Sequence, residues 1–249
     1  MSIYKKTRLD RLLVETGLAP SRAQAADLVR RGAVSVAGVP ALKPGALVAA
    51  GAVLEVEPGA SPYVSRGGLK LAAALDAFAL EPAGRVALDI GASTGGFTDV
   101  LLARGAAKVY AVDVGRGQLH ERLGVDPRVV GLEATDARTL DATIIAERVS
   151  AIVADVSFVS LTLVLPAALR LAGEGAWLVV LVKPQFEAGR AAVGRGGIVR
   201  QPADREKAVA RVRTFIEGEG GWTILGEMTS PILGGSGNEE FLIGARHGA

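Results

Sequence analysis

Apolar residues follow two different rhythms along the chain. Between residues 9 and 60 they are short and sparse. Leu9, Leu12 and Leu13 fall at helical spacing, as do Ala26, Leu28 and Val29, and alternating pairs then surround Val34 to Val36, Leu47 to Val48 and Val53 to Val56. Gly38, Pro40, Pro44-Gly45 and Gly51 punctuate the alternation as turns. The pattern predicts two short helices and a small sheet; Gly17 ends the first helix, and Ser21 with Gln24 forms the capping box of the second. A turn-rich stretch, Gly59 to Tyr63, follows, and after Ser65-Arg66-Gly67-Gly68 an Ala/Leu-rich amphipathic helix runs to near Leu80 with Lys70 in its first turn. From residue 86 the apolar runs become continuous: Val86 to Ile90, Lys108 to Asp113, Arg128 to Leu132, Ala151 to Asp155 and Trp177 to Lys183. Helical segments, such as Leu161 to Leu171, alternate with them, which predicts a parallel sheet wound on both faces. A helix from Pro202 to about Glu217 and strands at Trp222 to Met228 and Phe241 to Ala245 complete an α/β, Rossmann-like domain. The expected division is a small α+β domain at 7–58, a linker at 59–65 and the sheet domain at 66–249.

Charge breaks the apolar pattern at one end of the sheet. Asp89, Asp113, Asp155 and Lys183 stand at the carboxyl ends of four strands, and Asp136 lies just past a fifth. Open α/β sheets bind their ligands there. The first strand runs into Gly91-Ala-Ser93-Thr94-Gly95-Gly96-Phe97, a strand, glycine turn and helix start, where a Cβ would block close approach and unpaired N–H groups face a ligand. The spacing departs from the dinucleotide fingerprint Gly-x-Gly-x-x-Gly. A carboxylate at Asp89 would repel a pyrophosphate but suits the cationic amino-acid end of S-adenosylmethionine. Asp113, 24 residues after Asp89, occupies the place of the acid that grips ribose hydroxyls. Gly91, Ser93, Thr94, Gly95, Gly96, Phe97, Asp113 and Asp155, with Asp89, are thus the expected cofactor contacts, and Asp136 is expected to touch the adenine.

Composition narrows the chemistry. Aromatic residues are 4% of the chain, so its core is built of small and branched side chains and stacking on many bases is disfavoured. No cysteine is present, and His120 and His247 form no cluster, so no metal ligand set is expected. Residues 1 to 70 carry ten Lys or Arg against five acids, whereas residues 71 to 249 carry eighteen against twenty-one, which makes the front the basic arm. No signal-like start and no apolar run near the ~20 residues of a membrane helix is found, and a cytoplasmic protein without membrane association is expected.

Arg8-Leu-Asp10-Arg-Leu-Leu13, Ser21-Arg22, Val29-Arg-Arg-Gly32-x-Val34-x-Val36-x-Gly38 and Lys43-Pro-Gly45 resemble the small RNA-binding domain named after the fourth ribosomal protein of the small subunit. That resemblance implies that Arg8, Arg11, Arg22, Arg30 and Arg31 form a face for phosphate. Further along, Ser65-Arg-Gly-Gly-Leu-Lys70, Asp89-Ile-Gly-Ala-Ser-Thr-Gly-Gly-Phe-Thr98, Asp155-Val-Ser-Phe158, Val182-Lys-Pro-Gln-Phe-Glu187 and Gly237-Asn238-x-Glu240-Phe241 together resemble the TlyA (hemolysin A) family of ribosomal RNA ribose methyltransferases. The resemblance spans nearly the whole chain. It implies a class I methyltransferase sheet of the FtsJ-like type, S-adenosylmethionine as cofactor, ribosomal RNA or ribosomal subunits as partner and a cytidine 2′-hydroxyl as acceptor. It also implies a catalytic tetrad of Lys70, Asp155, Lys183 and Glu240; Glu239 competes with Glu240 for the last place, and the spacing Asn-x-Glu-aromatic favours Glu240. Arg66, Arg190 and Arg195 join the expected RNA contacts, the last two on a glycine-rich basic loop. The chemistry agrees with the family. A ribose hydroxyl needs in-line alignment and loss of a proton, which lysines beside it promote by stabilising the alkoxide and accepting that proton. Lys183-Pro-Gln-Phe186 stands where amino methyltransferases carry Asn/Asp-Pro-Pro-aromatic, which favours oxygen as the acceptor. Competing readings are a non-catalytic RNA-binding assembly factor, a nicotinamide reductase, which Asp89 opposes, and the membrane-lysing hemolysin of the older family name, for which no inserting segment is present.

Overall fold

The computed structural model describes residues 6–16, 18–19, 22–30, 32–57, 63–234 and 237–248. Gly17, the Ser21 capping position, Arg31 and most of the expected linker lie outside them. The chain divides into two compact units, Met1–Arg66 and Gly67–Ala249.

In the first unit β1 (Lys6–Arg8) leads into α1 (Leu9–Glu15) and α2 (Arg22–Arg30), followed by β2 (Val34–Val36), β3 (Val39–Pro40), β4 (Leu47–Ala49) and β5 (Leu54–Val56). Leu9 and Leu13 from α1 meet Leu28 and Val29 from α2 in a core closed by Val34. The strands form two sheets: β2 pairs antiparallel with β3 and β5, and β1 pairs antiparallel with β4. Strands β1 and β3 were not expected, because Lys6-Thr7-Arg8 holds no apolar residue and Val39–Pro40 is too short to alternate.

The second unit begins with α3 (Gly67–Ala77) and continues through β6 (Val86–Ile90), α4 (Gly96–Ala103), β7 (Lys108–Val112), α5 (Glu121–Gly124), β8 (Val129–Leu132), β9 (Val149–Ala154), α6 (Leu161–Leu169), β10 (Ala172–Val182), α7 (Pro184–Glu187), α8 (Pro202–Gly218), β11 (Trp222–Thr229) and β12 (Phe241–His247). One seven-stranded sheet results, in the order β11-β12-β10-β9-β6-β7-β8. The central strands are parallel and buried on both faces, in keeping with their unbroken apolar sequence. Sequential connections run outward from β6 on one side and return to β9 on the other, so the order reverses between these two strands and opens a crevice above their carboxyl ends. The apolar pattern left the direction of the last two strands open: β12 is antiparallel to both of its neighbours, β10 and β11. A strand that follows β11 through a loop, without a crossover helix, can return only in the opposite sense.

Candidate active site

Sheet register brings three chemically important residues to one place. Val180 is in step with Ala154, which brings Ser157 level with Lys183 and leaves Asp155 two residues below it on the adjacent strand, and Val182 pairs with Phe241, so Glu240 enters β12 opposite Lys183. Lys183 Nζ lies 2.5 Å from Asp155 Oδ1, an ion pair that falls short of an aligned hydrogen bond, and it donates to Ser157 Oγ at 3.0 Å. The fourth residue arrives on α3, which packs against β10 and β12. There Lys70 Nζ donates to Glu240 Oε2 at 2.5 Å, with both side chains at least nine-tenths buried. The neighbouring acid points elsewhere: Glu239 pairs with Arg205 of α8 at 3.2 Å. Gly234 packs so closely on Glu240 that a Cβ there would collide with the carboxylate.

Beside this group the glycine turn makes a cavity of about 560 Å³, a size suited to a small ligand. Gly91, Ser93, Asp113, Gln118, Asp136, Arg138, Asp155, Ser157 and Phe158 are among its walls. Gly91 has φ +80°, and a Cβ on it would strike the carbonyl oxygen of Asp155, so glycine is required for β6 and β9 to approach at the crevice. Asp113 accepts from the backbone N–H of Ser93 at 2.8 Å and of Gly115 at 2.7 Å, which fixes both of its oxygens over the turn. Glu133 braces the following loop by accepting from the N–H groups of Gly117, Gln118 and Leu119, and these bonds lower its carboxyl below the ordinary range. Asp136 lies on the cavity wall with its carboxylate clasped by Arg138, which also holds its carboxyl low.

Asp89 stands apart from these acids. It is fully buried within β6 and does not reach the cavity wall. One oxygen accepts from Thr98 Oγ1 at 2.6 Å, and the other, Oδ1, has no partner. Burial pushes this carboxyl up to about 7, opposed by the Thr98 hydrogen bond and reinforced by the charges of Asp155 and Asp113. Thr94, Gly95, Gly96 and Phe97 also lie outside the cavity wall. Phe97 is a core residue, and a Cβ on Gly95, whose φ is +92°, would collide with Leu123.

The structure adds residues that the sequence did not single out. Thr98 is one; as a polar residue whose i+3 and i+4 neighbours are Leu101 and Leu102, it carried a signal in the helical pattern. Gln118 and Ser157 followed no period. Phe158 is 92% exposed with φ +64°, a strained setting for a bulky side chain, and its ring centroid stands 5.2 Å from that of Phe186.

Among the basic residues, Arg8 and Arg22 converge on Asp10, at 2.8 and 3.2 Å, and the Arg8 hydrogen bonds hold the buried carboxyl of Asp10 down at about 2. Both guanidinium groups remain at least half exposed. Arg11 pairs along its helix with Glu15 at 2.7 Å, and Arg30 is exposed. Arg66 is exposed in the first unit, and Arg190 and Arg195 are exposed in the second. Among the described residues no cluster of His, Asp and Glu could hold a metal ion, and no helix is long and apolar enough to cross a membrane.

A family model described as FtsJ-like methyltransferase matches residues 63–247. This chain belongs to the FtsJ-like methyltransferase family. A second family model, the S4 domain, matches residues 7–54 of the same methyltransferase. The enzyme is 49% identical to the 16S/23S rRNA (cytidine-2′-O)-methyltransferase TlyA of Mycobacterium tuberculosis, over 97% of this chain and 90% of that protein. Among solved structures it resembles a protein named as a hemolysin from Streptococcus thermophilus, with TM-score 0.74 and 42% identity over 98% of this chain and 90% of the other. A protein named as an S-adenosylmethionine-dependent methyltransferase from Listeria monocytogenes, 13% identical, shares the fold with TM-score 0.54 over 74% of this chain and 99% of the other.

Proposed function

We propose that this methyltransferase moves the methyl group of S-adenosylmethionine to the 2′-hydroxyl of a cytidine ribose in ribosomal RNA. The observation that carries the reading is the meeting of Lys70, Asp155, Lys183 and Glu240, as two lysine–carboxylate pairs, at the level where β9, β10 and β12 reach the crevice. The cofactor fits the crevice beside them. Gly91 leaves its backbone bare, Asp113 presents carboxylate oxygens for ribose hydroxyls, and the orphaned Oδ1 of Asp89 below the turn favours a cationic group above it. When bound, S-adenosylmethionine supplies a methyl group made electrophilic by the sulfonium.

The protein's own residues do the rest. Asp155 and Ser157, which line the cavity, hold Lys183 Nζ beside it; there the amine form takes the hydroxyl proton, and the ammonium so formed, balanced by Asp155, steadies the alkoxide as it attacks the methyl group. Glu240 fixes the Lys70 ammonium as a second cation for the reacting ribose. A carboxylate against each lysine balances the charge and sets the rotamer, so that little reorganisation remains for the transition state. Phe158, an exposed ring at the same mouth, offers a face on which the acceptor base can stack. Arg8 and Arg22, pre-set by Asp10, supply cations for RNA phosphate. The name of the M. tuberculosis relative and the S4 match support ribosomal RNA as the substrate.

Radiolabelled S-adenosylmethionine incubated with ribosomal subunits tests the reading. Label is expected in RNA at a nucleotide whose 3′ phosphodiester resists alkaline cleavage, the signature of a blocked 2′-hydroxyl, and none is expected when that nucleotide is 2′-deoxycytidine. Label recovered on the base, or retained on the deoxy substrate, overturns it.

A further inference from the structure

Two loops carry the catalytic pair Asp155 and Lys183, and they are tied together at several heights. Lys183 meets Asp155 and Ser157, and Phe186 meets Phe158. At the buried end stands Glu187, 3% exposed, the last residue of α7. Its Oε2 accepts from Ser160 Oγ at 2.6 Å and its Oε1 from the N–H of Leu161 at 2.7 Å, the start of α6. Arg211 of α8 donates to the Glu187 carbonyl at 3.1 Å. Burying a carboxylate is costly, and burial raises this carboxyl against both hydrogen bonds, so a residue needed only to fill space there would be apolar.

We infer that Glu187 is a positioning residue, which sets the spacing of the Asp155 and Lys183 loops by bridging them through Ser160 and Leu161. It touches neither substrate nor cofactor and acts through Lys183. The inference rests on the assignment of Lys183 to methyl transfer. Without the bridge, α7 keeps its packing on α8 and the Phe158–Phe186 pair but loses its buried tie to the start of α6, and Lys183 Nζ drifts from the line it must hold. A misplacement of about 1 Å costs on the order of 100-fold in rate.

Two near-isosteric replacements in the full-length enzyme test this. In Glu187→Gln the amide oxygen still accepts from Leu161 while the amide nitrogen donates to Ser160, whereas Glu187→Met fills the same space and bridges nothing. Single-turnover methyl transfer is expected to stay within about fivefold of wild type in Glu187→Gln, one hydrogen bond's worth, and to fall about 100-fold in Glu187→Met. KM for RNA and Kd for S-adenosylmethionine are expected to stay near wild type in both. Ser160→Ala, which removes one of the two bonds from the other side, is expected to fall between them and decides the matter should Glu187→Met not fold. Equal rates for wild type, Glu187→Met and Ser160→Ala overturn the inference, as does a loss of rate matched by equal losses in cofactor affinity and Tm. Absence of methyl transfer by wild type, or full activity of Lys183→Ala, instead overturns the functional reading beneath it.

Discussion

The crevice has two walls built on opposite plans. The wall formed at β6, β7 and β8 is mostly backbone: Gly91 is bare, Asp113 is tied to the N–H groups of Ser93 and Gly115, and Glu133 collects three more. The wall formed at β9, β10 and β12 is mostly side chain, with lysines set against carboxylates drawn from four separate places in the chain. A backbone wall holds a ligand in one pose, because its donors cannot rotate away. A wall of paired ammonium and carboxylate groups holds mobile charge and protons, which a reaction needs and a binding site does not. Damage to one wall is therefore expected to show in affinity, and damage to the other in rate.

The largest expected effect lies on the side-chain wall. Lys183→Ala should lower single-turnover methyl transfer by about 10³-fold while S-adenosylmethionine and RNA still bind, and Lys183→Arg should restore little, because a guanidinium does not give up its proton and cannot occupy the place of a compact ammonium. Loss of binding in parallel with rate would erase the distinction between the walls. Next comes the backbone wall: Asp113→Ala should weaken S-adenosylmethionine binding about 30-fold by calorimetry, from charged hydrogen bonds lost both to ligand and to turn, with the rate at saturating cofactor close to wild type. A fall mainly in saturated rate would place Asp113 with the chemistry instead. The smallest effect concerns Asp89, whose folded carboxyl sits near 7, above its ordinary 3.8. The folded state then binds the proton more tightly than the unfolded state, so the stability this group lends is fully present below about pH 4 and is lost as pH rises through about 7. Tm without cofactor should decline between pH 5 and 7, and Asp89→Asn, which keeps an acceptor for Thr98, should flatten that decline. An unchanged slope in Asp89→Asn would assign the decline to other groups.

The same contrast explains what the sequence revealed. The parallel strands stood out because burial on both faces leaves continuous apolar runs, and Gly91 stood out because a bare backbone demands glycine. Strand β10 was expected only from Trp177, yet it begins at Ala172; Gly173-Glu174-Gly175 disguises its first turn of pairing, at the point where the register with β9 shifts. The side-chain wall has no local signature. Lys70 and Glu240 are 170 residues apart, and each by itself reads as surface charge, so only the resemblance to a family brought them together. Asp89 shows the opposite case: its position beside the glycine turn was legible as part of a ligand site, but nothing local showed that its carboxylate turns inward to Thr98.

The place of β12 in the sheet has a consequence for synthesis. This strand leaves the ribosome after all its neighbours, yet it inserts between β10 and β11 rather than adding at the rim. A nascent chain that has reached residue 230 therefore already holds Lys70, Asp155 and Lys183, but with an open slot in its sheet and unpaired hydrogen-bonding groups along β10. It lacks Glu240, so the Lys70 ammonium is without this counter-ion and, on the proposed mechanism, the methyl-transfer centre is incomplete. Closing the slot both seals an edge prone to mispairing and delivers the Glu240 carboxylate, so on the proposed mechanism activity waits for this strand to enter the sheet.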